Sequence, residues 1–305
     1  MATTTPVISE SEDQGATAPP QCAFCHRSDR RLLACERCRS ALYCGILPTD
    51  WPRHRAADDC RRPPNYILRV DLLPRFIRDP RISRTLSCPA TASFAALHRA
   101  LQVAFGWAGA HLYQFEVFDG DHGGQGQGRE NRRLGPEPAL RLTDVSEVTN
   151  DYLPNCRESS EYRLRQVLDG DEDERNPPTA TGTGDTRQKN KNKTILYTYD
   201  FGDGWEHVVA VAGRARGTNH FQCLDGEGHA CAEDVGGHAG WTRLLEAFDV
   251  AGKEEGEELS LDQEELINWY QGECRNGQRR GLRGSERWRW DRDVVNQRLR
   301  AVAVQ

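Results

Sequence analysis

The 305-residue chain carries 46 acidic against 40 basic residues, a net charge of −6, and its mean hydropathy is −0.74. No stretch approaches the roughly 18 apolar residues needed to cross a bilayer, which excludes a membrane span, and the acidic balance argues against general affinity for nucleic acid. The length suits a small module joined to one larger domain with its own core. The opening MATTTPVISESEDQGATAPP, residues 1–20, has neither a basic start nor an apolar core segment. It reads as a disordered tail, and an intracellular protein of the cytoplasm or nucleus is expected.

Residues 21–60 form the next segment. Cys22, Cys25, Cys35, Cys38, Cys44 and Cys60, more than half of the 11 cysteines, lie there together with His54. Two Cys-x2-Cys pairs separated by nine residues give the spacing at which a tight turn grips one metal ion, and Cys44, His54 and Cys60 supply closing ligands. In a reducing compartment such pairs favour zinc over disulfides, so folding of this segment should depend on metal. The remaining Cys88, Cys156, Cys223, Cys231 and Cys274 are expected to be buried thiols that serve packing.

The blocks QCAFC, ACERC, LYC and DWPRHRAADDC resemble the MYND-type zinc finger, a cross-braced module. The resemblance implies that Cys22, Cys25 and Cys44 share one ion, while Cys35, Cys38, His54 and Cys60 share a second. Pro48 stands where that pattern has its sixth ligand, and five residues separate His54 from Cys60 where the pattern has three. The first site, left with three thiolates, must borrow His26 or Asp50, hold a water, or stay empty, so one or two zinc ions are expected. The resemblance also implies capture of a proline-containing peptide near Trp51 and the Leu42-Tyr43 pair. Residues 21–62 hold nine arginines against five acids. Without interleaved aromatics this patch suits a protein or peptide partner better than nucleic acid.

After a stiff linker at 61–65, where consecutive prolines favour extended backbone, a second domain covers 66–305. YILRVDLL alternates as a half-buried strand; SFAALHRALQVAFGW places Phe94, Leu97, Leu101 and Phe105 at helical spacing behind a Ser93 cap; HLYQFEVF is a strand. The polar stretches near 119–136 and 169–193 read as flexible insertions. ILYTYDFGDGWEHVVAVAG predicts a hairpin about a Gly-Asp-Gly turn. GWTRLLEAFDV, LSLDQEELINWYQGE and DRDVVNQRLRAVAV predict three helices, the last capped by Asp291. Irregular mixing of strands and helices indicates an α+β fold with an antiparallel sheet.

YILRVDLLP, the helix ending in AFGW, HLYQF, YTYDFGDGWEH, CAEDVGG and WDRDVVN together resemble the plasmid pRiA4b open-reading-frame-three-like family over most of 66–303. Cys231-Ala232 replaces part of the family's Cys-Pro-Pro, while Glu233, Asp234, Gly236 and Gly237 match. The resemblance implies kinship with proteins found beside mobile elements and no established reaction.

The chemistry of this domain rests on Asp200, Asp203, His207, Glu233, Asp234 and His111, acids and imidazoles that suit a hard divalent ion or acid–base roles on nucleic acid or a phosphorylated substrate. Alternatively, Asp200 and Asp203 organise the hairpin turn, Tyr199 and Trp205 pack, and Gly236 and Gly237 serve a backbone bend. The domain is therefore read first as a ligand-binding module and second as a metal-dependent enzyme. Asp200-Phe201-Gly202 echoes a kinase motif but lacks its companions. Cys223, His229 and Cys231 are a weak candidate for a further metal clip. His98 is expected to pack, and His122 sits in a glycine-rich loop.

Overall fold

The computed structural model describes residues 28, 32–34, 42–44, 63–73, 81–120, 137–148, 152–170, 193–253 and 258–305, with 32–34 and 42–44 described by backbone alone. The chain divides into two units, Met1–Arg61 and Arg62–Gln305. In the first, β1 (Leu32–Ala34) and β2 (Leu42–Cys44) pair antiparallel, with Leu32 opposite Cys44. The expected zinc ligands Cys22, Cys25, Cys35, Cys38, His54 and Cys60, and the side chain of Cys44, lie outside the described residues, as do His122 and most of both polar insertions.

The second unit is built on one sheet. Its strands are β3 (Asn65–Leu72), β4 (Ser83–Cys88), β5 (Tyr113–Asp119), β6 (Leu140–Thr143), β7 (Arg157–Glu158), β8 (Lys193–Tyr199), β9 (Trp205–Ala215) and β10 (Gln222–Glu227). They run in the order β10-β4-β3-β9-β8-β5-β6-β7, antiparallel except for the parallel β6–β7 pair. The α+β reading holds, and the eight strands exceed the few visible in the sequence. The first strand begins at Asn65, inside the expected linker, because the Asn65 side chain donates to Ser87 and Thr218 and ties the strand start to its neighbours.

Helix α1 (Phe94–Phe105) starts where Ser93 Oγ accepts the Ala96 amide and ends at Gly106, whose φ of 72° only glycine adopts without strain. Its apolar stripe covers the sheet: the Phe94 ring meets Phe115 of β5 edge-on, and Phe105 meets His207 of β9. A short α2 (Leu164–Leu168) follows. Helices α3 (Gly237–Val250) and α4 (Leu261–Gly272) pack together through Phe248 and Tyr270. Helix α5 (Arg292–Leu299) is capped by Asp291 and ends earlier than its sequence suggests, because Val304 O accepts the Ser93 amide in an extended tail. Asn296 of α5 clasps β10, accepting the Cys223 amide at 2.7 Å and donating to its carbonyl at 2.9 Å.

Arg84 is buried at the junction of α1, β4 and β10. It donates to the carbonyls of Ala104, Ser83, Glu227 and Gly228, and its guanidinium lies 5.2 Å from both the Phe105 and Trp290 ring centres. Burial lowers its pKa to about 10, so it remains a cation at neutral pH, solvated by carbonyl dipoles.

Candidate metal centre

Three segments meet at one end of the sheet: the loop after α1 carrying His111, the β8–β9 turn carrying Asp200, and the loop before α3 carrying Glu233 and Asp234. The turn forms because Gly204 N donates to Asp200 O at 2.6 Å while Asp200 Oδ1 accepts the amides of Gly202 (2.8 Å) and Asp203 (3.3 Å). Asp200 and Asp234 both hold left-handed backbone, at φ 57° and 59°. Aspartate tolerates that region through local hydrogen bonds, and such strain tends to persist where the surroundings fix a functional side chain.

The other Asp200 oxygen faces the imidazole: Oδ2 lies 3.7 Å from His111 Nε2, and Asp234 Oδ1 lies 3.1 Å from the same nitrogen. The Asp234 contact is close, yet Nε2 is buried without an aligned hydrogen bond among the described residues. Each of the three side chains offers one ligand atom, and these atoms all lie within 4.8 Å of one another. For metal–ligand bonds of about 2.1–2.2 Å, separations of 3.1 and 3.7 Å subtend about 90–95° and about 115–125° at an ion, within the range that divalent cations accept. The side chain of Asp200 is 9% exposed, that of His111 27% and that of Asp234 50%, so the trio opens to solvent on the Asp234 side.

Behind the trio, Tyr199 donates to Glu233 Oε1 at 2.7 Å and accepts the Ala110 amide at 3.0 Å, and Ala108 N donates to the same Glu233 oxygen at 2.8 Å. Burial raises the Tyr199 pKa strongly, and the adjoining Glu233 carboxylate adds to it, so the phenol stays a donor. Glu233 Oε2, Trp107 Nε1 and Trp205 Nε1 are buried without hydrogen-bond partners among the described residues. The two indoles pack against each other, ring centres 5.4 Å apart.

Of the six candidates, the structure brings His111, Asp200 and Asp234 together. Asp203 turns instead to the loop before α3, where Val235 N and Gly236 N each donate to it at 3.1 Å. Burial raises its pKa, opposed by the amides of Gly237, Gly236 and Val235. Glu233 serves Tyr199 and Ala108. His207 belongs to the core: it is fully buried, with Nδ1 donating to the Tyr197 carbonyl at 3.3 Å. Gly236 and Gly237 do serve a bend, at φ 88° and 66°. His98 packs, stacked 3.6 Å from Tyr113 and sharing a hydrogen bond of 2.8 Å between Nδ1 and the Tyr197 hydroxyl. Cys88, Cys223 and Cys231 are buried thiols, whereas Cys156 and Cys274 are half-buried. Cys223, His229 and Cys231 do not gather their ligand atoms as the trio does.

Asn276 escaped the sequence reading. It accepts the Glu233 amide and donates to the Gly106 and Cys231 carbonyls, at 2.9, 3.1 and 2.8 Å. A lone asparagine in a polar loop carries no signal of such a bridge.

Residues 65–278 match the family described as plasmid pRiA4b ORF-3-like protein. The chain belongs to that family. The three segments of the trio, GWAGAHL, YDFGDGWEH and CAEDVGG, all lie inside the matched span, and residues 21–60 lie outside it. Over 172 residues the chain is 29% identical to the uncharacterized protein y4hQ of Sinorhizobium fredii (strain NBRC 101917 / NGR234), covering 56% of this chain and 67% of that protein. A crystal structure of a protein of unknown function, MM3350 from Methanosarcina mazei Go1, superposes with a TM-score of 0.46 and 21% identity over 75% of this chain and 96% of that one. No helix among the described residues is long and apolar enough to cross a membrane.

Proposed function

We propose that the pRiA4b-type domain binds a divalent cation through His111 Nε2, Asp200 Oδ2 and Asp234 Oδ1. The observation that carries this reading is the convergence of one imidazole and two carboxylates, from three separate segments, with each carboxylate at a separation from His111 Nε2 that fits a shared ion. One nitrogen and two oxygens suit Mn2+, Fe2+ or Zn2+ better than Ca2+, which takes six to eight oxygen ligands. Three protein ligands leave coordination positions for an oxygen of a bound molecule on the exposed Asp234 side. The domain is therefore a ligand-binding module built around an ion, and the open positions favour a second reading, metal-assisted chemistry on nucleic acid or a phosphorylated substrate. Calorimetric titration of the full-length protein with Mn2+ tests the site. The expected result is one Mn2+ site that weakens at least about tenfold in Asp200→Asn and His111→Ala; equal binding by wild type and both variants would discard it.

For the N-terminal unit, the reading is a MYND-like zinc finger in an intracellular protein, which holds one or two zinc ions and docks a protein or peptide. The β1–β2 pairing supports it, since the chain between those strands carries Cys35 and Cys38 and β2 ends on Cys44. Removing zinc, or replacing Cys35 or Cys38 with serine, should abolish partner capture. Capture that survives zinc loss would refute a docking role.

A further inference from the structure

The three segments that carry the trio are far apart in sequence and none is a regular element at the ligand position. Something must hold three loop ends to within a few tenths of an ångström if they are to grip an ion before it arrives. The first two segments are joined by a backbone contact and by the phenol below them. Asp200 N donates to the Leu112 carbonyl at 2.9 Å, next to His111, and Ala110 N reaches Tyr199 OH at 3.0 Å, next to Asp200. The loop carrying Asp234 is attached chiefly through side chains.

We infer that Asp203 and Asn276 are positioning residues for the cation site proposed above, fixing the Asp234 loop against the other two segments without touching the ion; the inference rests on that site being real. Asp203 spends both carboxylate oxygens on this loop, one on Val235 N and one on Gly236 N, the two amides that follow Asp234. Its backbone closes the same contact: a Cβ at Gly237 would sit 2.4 Å from the Asp203 carbonyl oxygen, so turn and loop touch at van der Waals range. Asn276 acts from the other side. It accepts Glu233 N, the amide just before Asp234, and donates to Cys231 O and to Gly106 O, which joins the loop to the end of α1 that leads to His111. Asp234 is thus clamped on both flanks, adding to the hold of Glu233 on Tyr199 and Ala108, and its half-exposed carboxylate reaches His111. Ordering the loop in advance removes an entropic cost from metal binding, the same reason outer groups around metal ligands change affinity 10- to 100-fold.

The test is Mn2+ titration of full-length wild type, Asp203→Asn, Asn276→Ala and Asn276→Asp, with thermal unfolding of the metal-free proteins measured in parallel. Asp203→Asn turns an N–H group toward one of the two loop amides, whereas Asn276→Asp keeps an acceptor for Glu233 N but turns a carboxylate oxygen toward the Gly106 and Cys231 carbonyls. The expected result is a loss of about tenfold or more in Mn2+ affinity in Asp203→Asn, Asn276→Ala and Asn276→Asp, each measured at a temperature where the variant is folded. Lower melting temperatures with Mn2+ affinity within about twofold of wild type would make both residues purely structural and overturn the inference while leaving the site intact. Wild type binding no Mn2+, or binding it equally after His111→Ala, would remove the site and the inference together.

Discussion

Asp200 divides one carboxylate between two tasks. Oδ1 closes the hairpin turn on the Gly202 and Asp203 amides, and Oδ2 faces His111. The turn-forming role and the proposed site role, which appear as rivals in the sequence, fall to different oxygens of the same residue. Gly237 is the companion constraint: its φ of 66° and the Asp203 carbonyl beside it leave no room for a side chain. Gly237→Ala should cost about 1–2 kcal/mol for the left-handed backbone alone, with more for the clash, and should lower the melting temperature measurably. Arg84 makes a separate case, since its four carbonyl contacts tie three elements around one buried cation. Arg84→Met strands those acceptors and should destabilise by about 3 kcal/mol or more in denaturant unfolding.

At the scale of elements, α1, β8 and β9 bring together two histidines, the half-buried His98 and the fully buried His207. Burial lowers the pKa of His98 to about 3 and of His207 to about 4; Arg99 lowers the first further against a raising effect from Asp144, and Arg84 opposes charging of the second against the carbonyls of Tyr197 and Trp205. In the unfolded chain both titrate near 6.5, so below that pH the unfolded state binds protons that the native state refuses. Their contribution is full above about pH 6.5, shrinks by about 1.4 kcal/mol per pH unit for each histidine as pH falls, and is gone below about 4 for His207 and about 3 for His98. Melting temperature should fall steeply between pH 6.5 and 4, and His207→Phe should make that fall shallower; an unchanged slope would contradict the assignment. The same elements show what the sequence disclosed. β3, α1, β5, the β8–β9 hairpin and α3 to α5 were legible because each carries a full apolar period or a cap. β4, β6, β7 and β10 were not: SRTLSC and QCLDGE are short and polar, and they become strands through pairing with β3 and with each other. In the site, the residue types were legible and their partners were not, because His111 reaches Asp200 and Asp234 through long-range packing that local spacing does not encode.

On the scale of the whole chain, two metal chemistries are assigned to two units. On the proposed reading the thiolate-rich segment of residues 22–60 takes zinc, whereas the nitrogen-and-carboxylate trio in the pRiA4b-type domain takes a harder ion. A strong chelator should therefore unfold the N-terminal unit while Arg62–Gln305 keeps its sheet, since that core is held by apolar packing and strand pairing; circular dichroism and limited proteolysis of the chelated full-length protein would check this. The central claim is that His111, Asp200 and Asp234 form one cation site. Anomalous diffraction from crystals of the full-length protein soaked in Mn2+ tests it most directly: the account predicts a peak bonded to His111 Nε2, Asp200 Oδ2 and Asp234 Oδ1, and no Mn2+ there, or Mn2+ bound by other residues alone, would contradict it.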